Sequence, residues 1–461
     1  MDQLKVIEDE KRHYTSHDIC AVNSISSSLS RASSNASSRT AHDLRNGHVD
    51  DRHKSSATLE FDFNPPNGGW LAWSQVLAAN LANAVSWGYA ATFGVYQLYY
   101  VDTMGLKSAQ VSWIGSIQVF LAFVVCGPSG RIADAGYSRE IIIVGCFFVV
   151  LGSYMTSFCY EFWHIMLAQG ICTGIGLGVI STPAVAITSS YFSTRKSLAL
   201  SISAMGTSAG GVIFPSIVQY LIPQIGFSWA TRVGALVALV CCIGACVLLK
   251  PYLPGRKTGP WVEWAAFKEV PYALFSAGSF LNFYGMYFGL FYINSFARNV
   301  IGFSSVESVS LLLITNAIGL PVRPIVGYVA NTHIGPINIF IMATAFVGVM
   351  LFVWTTVTTR TSMYVFSVFY GLAISASQST YVPSLASLTL DPQKMGIRFG
   401  MVETLCAFST LAGPPTAGAI IDRTGSYTYA QIWGGSVMLS AALVLAAVRF
   451  SLTGWKWKFL T

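Results

Sequence analysis

From Trp70 onward the chain consists of apolar runs about 20 residues long, separated by short polar breaks. Twelve occur, at roughly 71–95, 110–130, 141–159, 163–190, 198–221, 230–249, 270–293, 306–329, 335–357, 362–388, 399–421 and 431–450. Runs of this length leave one fold class open. In hydrocarbon every backbone polar group must be satisfied within its own segment, so each run is expected to be a membrane-spanning helix. Only 10% of the residues are charged and 53% are hydrophobic, against about 25% charged in a soluble domain. That balance excludes a soluble globular protein.

Residues 1–65 differ in kind. They hold 12 serines, five of the seven histidines, 8 Lys/Arg and 10 Asp/Glu. With few long apolar side chains they cannot offset the entropy of ordering the chain, so a disordered Ser-rich tail is expected. No basic segment followed by a short apolar stretch marks a cleaved signal peptide. An even number of spans puts both termini on one side. With the N-terminus inside, 13 Lys/Arg fall on the cytoplasmic side and only Lys107, Arg298, Arg360 and Arg423 fall outside. This bias predicts cytosolic termini, in the plasma membrane, with the vacuolar membrane as the alternative.

The longest break near the membrane, 251–269, holds Pro251, Pro254, Gly255 and Pro260 and divides the spans six and six. The halves echo one another: Gly130-x-x-x-Asp134 follows span two and Gly327-x-x-x-Asn331 follows span eight, 197 residues later. Matched landmarks at one offset predict a duplicated six-helix unit, 66–250 and 270–450, with a cytosolic linker between them and a short tail at 451–461. Two such bundles around a midplane cavity are the architecture of a secondary transporter. The fold expected is therefore an all-α membrane protein of 12 transmembrane helices in two pseudo-symmetric six-helix bundles.

Other chemistries lack their residues. The nine cysteines form no CxxC pair, and eight of them sit inside apolar runs, so neither disulfides nor a metal site is expected. His164 is the only histidine in a span, which leaves no Ser/His/Asp or His/Glu cluster for an enzyme. The glycine runs Gly174–Gly178 and Gly206–Gly211 follow no strand and precede no phosphate-binding lysine. They are read as close helix packing, and no cofactor is expected. Basic residues form no stripe with exposed aromatics, which argues against nucleic acid as a partner.

The turn after span two reads Gly127-Pro-Ser-Gly-Arg131-Ile-Ala-Asp134-Ala-Gly-Tyr-Ser-Arg139. An acid and two arginines there can pair with helix ends of the other bundle and latch one conformation. Arg195, Arg398 and Glu403, near the same side, complete the expected gate. The turn resembles the loop motif of the major facilitator superfamily, although Ala135 stands where an arginine is usual. A closer resemblance lies in Asn64-Pro-Pro-Asn67-Gly-Gly-Trp70-Leu-Ala-Trp73, with Tyr191-Phe-Ser-Thr-Arg195-Lys196 and Gly413-Pro-Pro-Thr-Ala-Gly418. These are similar to the fungal branch of the monocarboxylate porter family, with Asn67 in place of an acid.

Arg323 lies inside span eight, where a charge costs at least about 2.5 kcal/mol unless it meets a cavity or a counter-ion. Asn316, Gly319, Arg323 and Gly327 share one helix face. The resemblance implies that Arg323 binds a substrate carboxylate. It also implies a lysine near Ala91 or Thr92 and an acid at Gly319, and both are missing, which leaves the guanidinium free to take a ligand's charge. A coupling carboxylate would then have to come from elsewhere, such as Glu403. Further cavity candidates are Asn83 and Trp87 in span one, Asn282 and Tyr284 in span seven, and Gln378 and Tyr381 in span ten. So many aromatics with few charges suit an amphipathic ligand larger than lactate. The function expected is alternating-access transport of an organic anion or amphipathic metabolite, leaning to export, with protons as a candidate coupling ion. The alternatives are a proton-linked importer of a small monocarboxylate and a transporter-like nutrient sensor.

Overall fold

A computed structural model describes residues 65–454 apart from 257. The expected disordered tail, but for Pro65, and the basic residues Lys456 and Lys458 lie outside the described residues. Every regular element among the described residues is a helix.

Span one is built from Gly69–Asn83 and Phe93–Asp102, joined through a wide π-type turn at Ala84–Gly88. Span two is Ser108–Val124, extended by Cys126–Ile132, and span three is Ser138–Thr156. Span four ends in Gly174–Ser190, and spans five and six share the continuous stretch Lys196–Leu248. Spans seven to nine are Val270–Phe296, Ser305–Val329 and Pro336–Val353. Spans ten to twelve are Arg360–Leu388, Met395–Thr424 and Tyr427–Thr453.

Seven helical stretches are long and apolar enough to cross a membrane by length and composition. Two of them, Gln110–Thr156 and Lys196–Leu248, each hold two crossings of the sequence reading. Drawn straight, the 53 residues of Lys196–Leu248 would run about 80 Å, more than twice the roughly 30 Å of a bilayer core. Gly226, at φ 77°, turns the chain back, and Gly136, at φ 100°, does the same between spans two and three. A side chain at either position would strain the backbone. Spans one, seven and ten fall outside the seven because Asn, Gln, Ser and Tyr dilute their apolar content. All three face the central cavity.

Buried apolar side chains form two cores. One runs from Ala72 to Leu249 with Val309 added. The other runs from Ala266 to Val448 and takes in Val119, Phe123, Val185 and Leu200 from the first half. The halves meet where span five packs on spans eight and ten and where spans two and four pack on span eleven. Small residues bring spans one and five together as the glycine runs predict: a Cβ at Gly206 would lie 1.9 Å from the Asn80 carbonyl oxygen.

Two sequence motifs about 120 positions apart prove to be one contact. Asn67 adopts φ 55°, its N–H donates to the Tyr191 carbonyl at 3.0 Å, and its Oδ1 accepts from the backbone of Ser193 and Thr194 at 2.6 and 3.0 Å. Trp73 packs edge-on against Phe192 with ring centroids 5.4 Å apart. Acceptance needs only an oxygen, which explains why an amide can stand here in place of an acid.

Candidate substrate cavity and gate

A cavity of about 440 Å³ lies between the halves, walled by spans one, two, four and five and by spans seven, eight, ten and eleven. Spans three, six, nine and twelve contribute nothing to it. It reaches Val101, Arg298 and Asn299 at the far ends of spans one and seven, and in the other direction stops at Phe123, Phe399 and Glu403. Asn299 is exposed, so the cavity opens at the end away from the 251–269 linker.

Its closed end is aromatic. Trp87 contacts Phe123 at 4.7 Å, Phe123 contacts Phe283 at 5.3 Å, Phe283 contacts Tyr381 at 5.2 Å, and Tyr381 contacts Phe399 at 6.2 Å. The series crosses from one half to the other.

Arg323 is 3% exposed and sits on the cavity wall. Its Nε donates to Ser208 Oγ at 2.9 Å, Nη1 to the Ala204 carbonyl at 3.1 Å, and Nη2 to Gln378 Oε1 at 2.5 Å. All three acceptors are neutral, and two of them belong to span five in the other half. The guanidinium is thus tied across the two halves rather than free, a correction to the sequence reading. Three of its five N–H donors are taken up in these bonds.

The acid expected at position 319 has no room. A Cβ on Gly319 would lie 2.1 Å from Ser208 Oγ and 2.7 Å from Ser375 Oγ. Ser208 occupies that space and accepts from the guanidinium instead. Gly319→Asp should therefore lower the yield of folded protein severalfold, since overpacking costs about 1–3 kcal/mol or more, and Ser208→Gly in the same chain should restore it. The monodisperse fraction on size exclusion reads this out. Equal yields of the single variant and the unmodified protein would show that span eight has space there.

Asn83, Trp87, Asn316, Gln378 and Tyr381 line the same wall. Asn282 and Tyr284 do not, which corrects their assignment. Asn282 Oδ1 accepts from Thr344 and Ser377 and ties span seven to spans nine and ten, while Tyr284 bonds Thr416 and packs on Trp433. Sequence reading missed Gln97, Asn294 and Thr315, which also line the cavity. Asn294 follows the wall residues Phe283, Tyr287, Leu290 and Phe291 at the three- and four-residue spacing of one helix face, so the signal lay in that register and not in the polar residues alone.

The linker end is sealed by polar contacts. Asp134 accepts from the backbone N–H groups of Gly396 and Ile397 at 3.0 and 2.7 Å, capping the first turn of span eleven, where free N–H groups and the helix dipole favour an anion. Arg131 donates instead to the linker, to the carbonyls of Arg256, Gly259 and Pro260 at 3.1–3.2 Å. Arg398 pairs with Glu269 and Glu263, and Lys394 pairs with Glu263 at 2.7 Å. Burial alone would push the Glu263 carboxyl up, but Lys394 and Arg398 outweigh it and hold it below the usual carboxylate range. Arg139 and Arg195 are exposed and form no ion pair among the described residues. Glu403 lies on the cavity wall and not in this polar seal.

The family model of the Major Facilitator Superfamily matches residues 77–414. An MFS-type transporter of Gibberella zeae is 38% identical over 387 residues, covering 83% of this chain and 88% of the relative. The aspyridones efflux protein apdF of Emericella nidulans is 32% identical, covering 84% of this chain and 80% of that protein. Among solved structures, the human organic anion transporter MFSD10 shares the fold at a TM-score of 0.65 and 14% identity, covering 81% of this chain and 98% of its own. Two half-molecules around a central cavity, sealed at one end and open at the other, with these relatives, make the chain a transporter and not an enzyme: it belongs to the Major Facilitator Superfamily.

Proposed function

We propose that the protein exports amphipathic, weakly acidic small metabolites from the cytosol by alternating access. The observation that carries this reading is the cavity itself, closed at one end by a row of aromatic rings and carrying the Arg323 guanidinium on its wall. Its volume of about 440 Å³ falls in the range that encloses drug-sized ligands, well beyond the needs of lactate. Several relatives are fungal transporters, one of them named for efflux of aspyridones. The paired motifs at 64–73 and 191–196, joined through Asn67, support placement in the monocarboxylate porter-like branch. In this reading the linker and both termini are cytosolic, so the structure corresponds to the outward-facing state in a plasma membrane.

Comparison of a deletion strain with its parent tests the function. The deletion strain should retain in its cells, and fail to secrete, at least one aromatic or polyketide-sized weak acid, and restoring the gene should reverse this. Unchanged secretion together with loss of uptake of a small carboxylate would favour import. A protease applied to intact cells should spare tags at both ends, and cleavage of either would overturn the orientation.

A further inference from the structure

The amide side chains on the cavity wall are Asn83, Gln97, Asn294, Asn299, Asn316 and Gln378. Most of them are engaged within the protein. Asn83 donates to the Ser203 carbonyl at 3.1 Å, Asn316 to the Leu312 carbonyl at 3.0 Å and Asn299 to the Tyr427 hydroxyl at 3.1 Å, while Gln378 accepts from Arg323. Gln97 and Asn294 differ: neither forms a hydrogen bond among the described residues, and Asn294 Oδ1 is enclosed as well. An enclosed acceptor loses stability unless a ligand or water meets it. The terminal torsion of an asparagine turns over a broad range, so either amide atom of Asn294 can be brought to the cavity.

The two belong to opposite halves and stand close together. Asn294 Nδ2 lies 3.8 Å from where a Cβ on Gly94 would stand, and Gln97 follows Gly94 by one turn on the same face of span one. Their height above the arginine follows from span seven. Gln378, which accepts from Arg323, has its Nε2 3.8 Å from Met286 Sδ, so the guanidinium is level with Met286. Asn294 is further out on the same helix, about 12 Å along its axis. Leu290 and Phe291 form an apolar stretch of wall between. One turn beyond, Arg298 has the Asp102 carboxylate at 4.0 Å. Its charge is thereby offset, so what the mouth presents to a ligand is a pair of neutral amides.

We propose that Gln97 and Asn294 form a second subsite, which takes a neutral hydroxyl of the ligand at the end opposite the carboxylate that meets Arg323. This rests on the export reading above and narrows its substrate class to elongated aromatic acids with a hydroxyl about 12 Å from the carboxylate. A hydroxyl donates and accepts, and the two amides answer both needs: Asn294 Oδ1 accepts its proton and Gln97 Nε2 donates to its oxygen. An acid without the hydroxyl leaves both amides unmet, and a site built for hydrogen bonds rejects such an analogue. Because one amide comes from each half, the hydroxyl is held only while spans one and seven stand as they do here.

The test uses the full chain in phosphatidylcholine vesicles, with carboxyfluorescein, an aromatic anion, as the exchanged dye. The competitors are para-biphenyl carboxylate and the same acid with a hydroxyl at the far para position, whose two rings separate the groups by about the distance required. In the unmodified protein the hydroxylated acid should inhibit exchange at a concentration about fivefold or more lower than its partner. Asn294→Leu should bring the two acids within about twofold by weakening the hydroxylated one alone. Unchanged inhibition by the plain acid shows that the variant is folded, and if Asn294→Leu carries no dye, Gln97→Leu is read in the same way. Equal inhibition by the two acids in the unmodified protein, or a preference that survives in the variant, would overturn the subsite and leave the export reading standing. Absence of dye exchange by the unmodified protein would overturn the export reading, and the subsite with it.

Discussion

Arg323→Lys should lower transport of an anionic substrate by about 100-fold although the positive charge is kept. The guanidinium sends three donors in three directions within one plane, to Ser208, the Ala204 carbonyl and Gln378. A lysine ammonium is a point charge that cannot span that fork. Leaving about two such bonds unmade costs about 1.5 kcal/mol or more for each, and about 3 kcal/mol corresponds to two orders of magnitude. Two roles are superposed here, bridging the halves and meeting a ligand's charge. They separate by comparing an anionic probe with its neutral ester. If Arg323 binds the anion, the variant loses far more for the acid than for the ester; if it only bridges, both fall alike. Full transport of an anionic substrate by Arg323→Ala would remove it from the site altogether.

The helical runs and the buried arginine were legible because each rests on a local signal: the length of an apolar run, a charge within hydrocarbon. Partners were not. Ser208 and Gln378 lie 115 and 55 positions from Arg323, and nothing in the sequence of span eight says that its guanidinium is satisfied by neutral oxygens. Asn282 and Tyr284 were placed on the cavity because span seven is apolar nearly all round, so its polar residues do not reveal which face looks inward. Glu403 was read as a gate residue for its nearness to Arg398 in sequence. Five residues on a helix turn the side chain by about 140°, which sends Arg398 to the linker acids and Glu403 to the cavity. The missing acid at 319 was visible as a substitution, but its cause, Ser208 filling the space, required the packing of span five on span eight.

Asp134→Asn should slow turnover at least tenfold with little change in substrate affinity, by destabilising the sealed linker end. The carboxylate accepts two backbone N–H groups at the start of span eleven, one on each oxygen. An asparagine keeps one acceptor and turns an NH2 toward the other N–H, donor against donor. The loss combines one charge-assisted hydrogen bond, about 1.5–3 kcal/mol, with the attraction of an anion to a helix N-terminus, about 0.3–1 kcal/mol. A shift of about 3 kcal/mol moves a two-state equilibrium by roughly two orders of magnitude, so a protein resting with its linker end sealed would come to populate the open form. Spin-label distances between the ends of spans two and eleven should lengthen and broaden. Arg131→Ala should act in the same direction but more weakly, because the linker carbonyls it releases can be hydrated and the Arg256 N–H still donates to the Asp134 carbonyl at 2.7 Å. Arg139→Ala, at an exposed position without an ion pair among the described residues, should do neither. Unchanged distances and turnover in Asp134→Asn, with weakened binding of carboxyfluorescein, would move Asp134 from the seal to the substrate path.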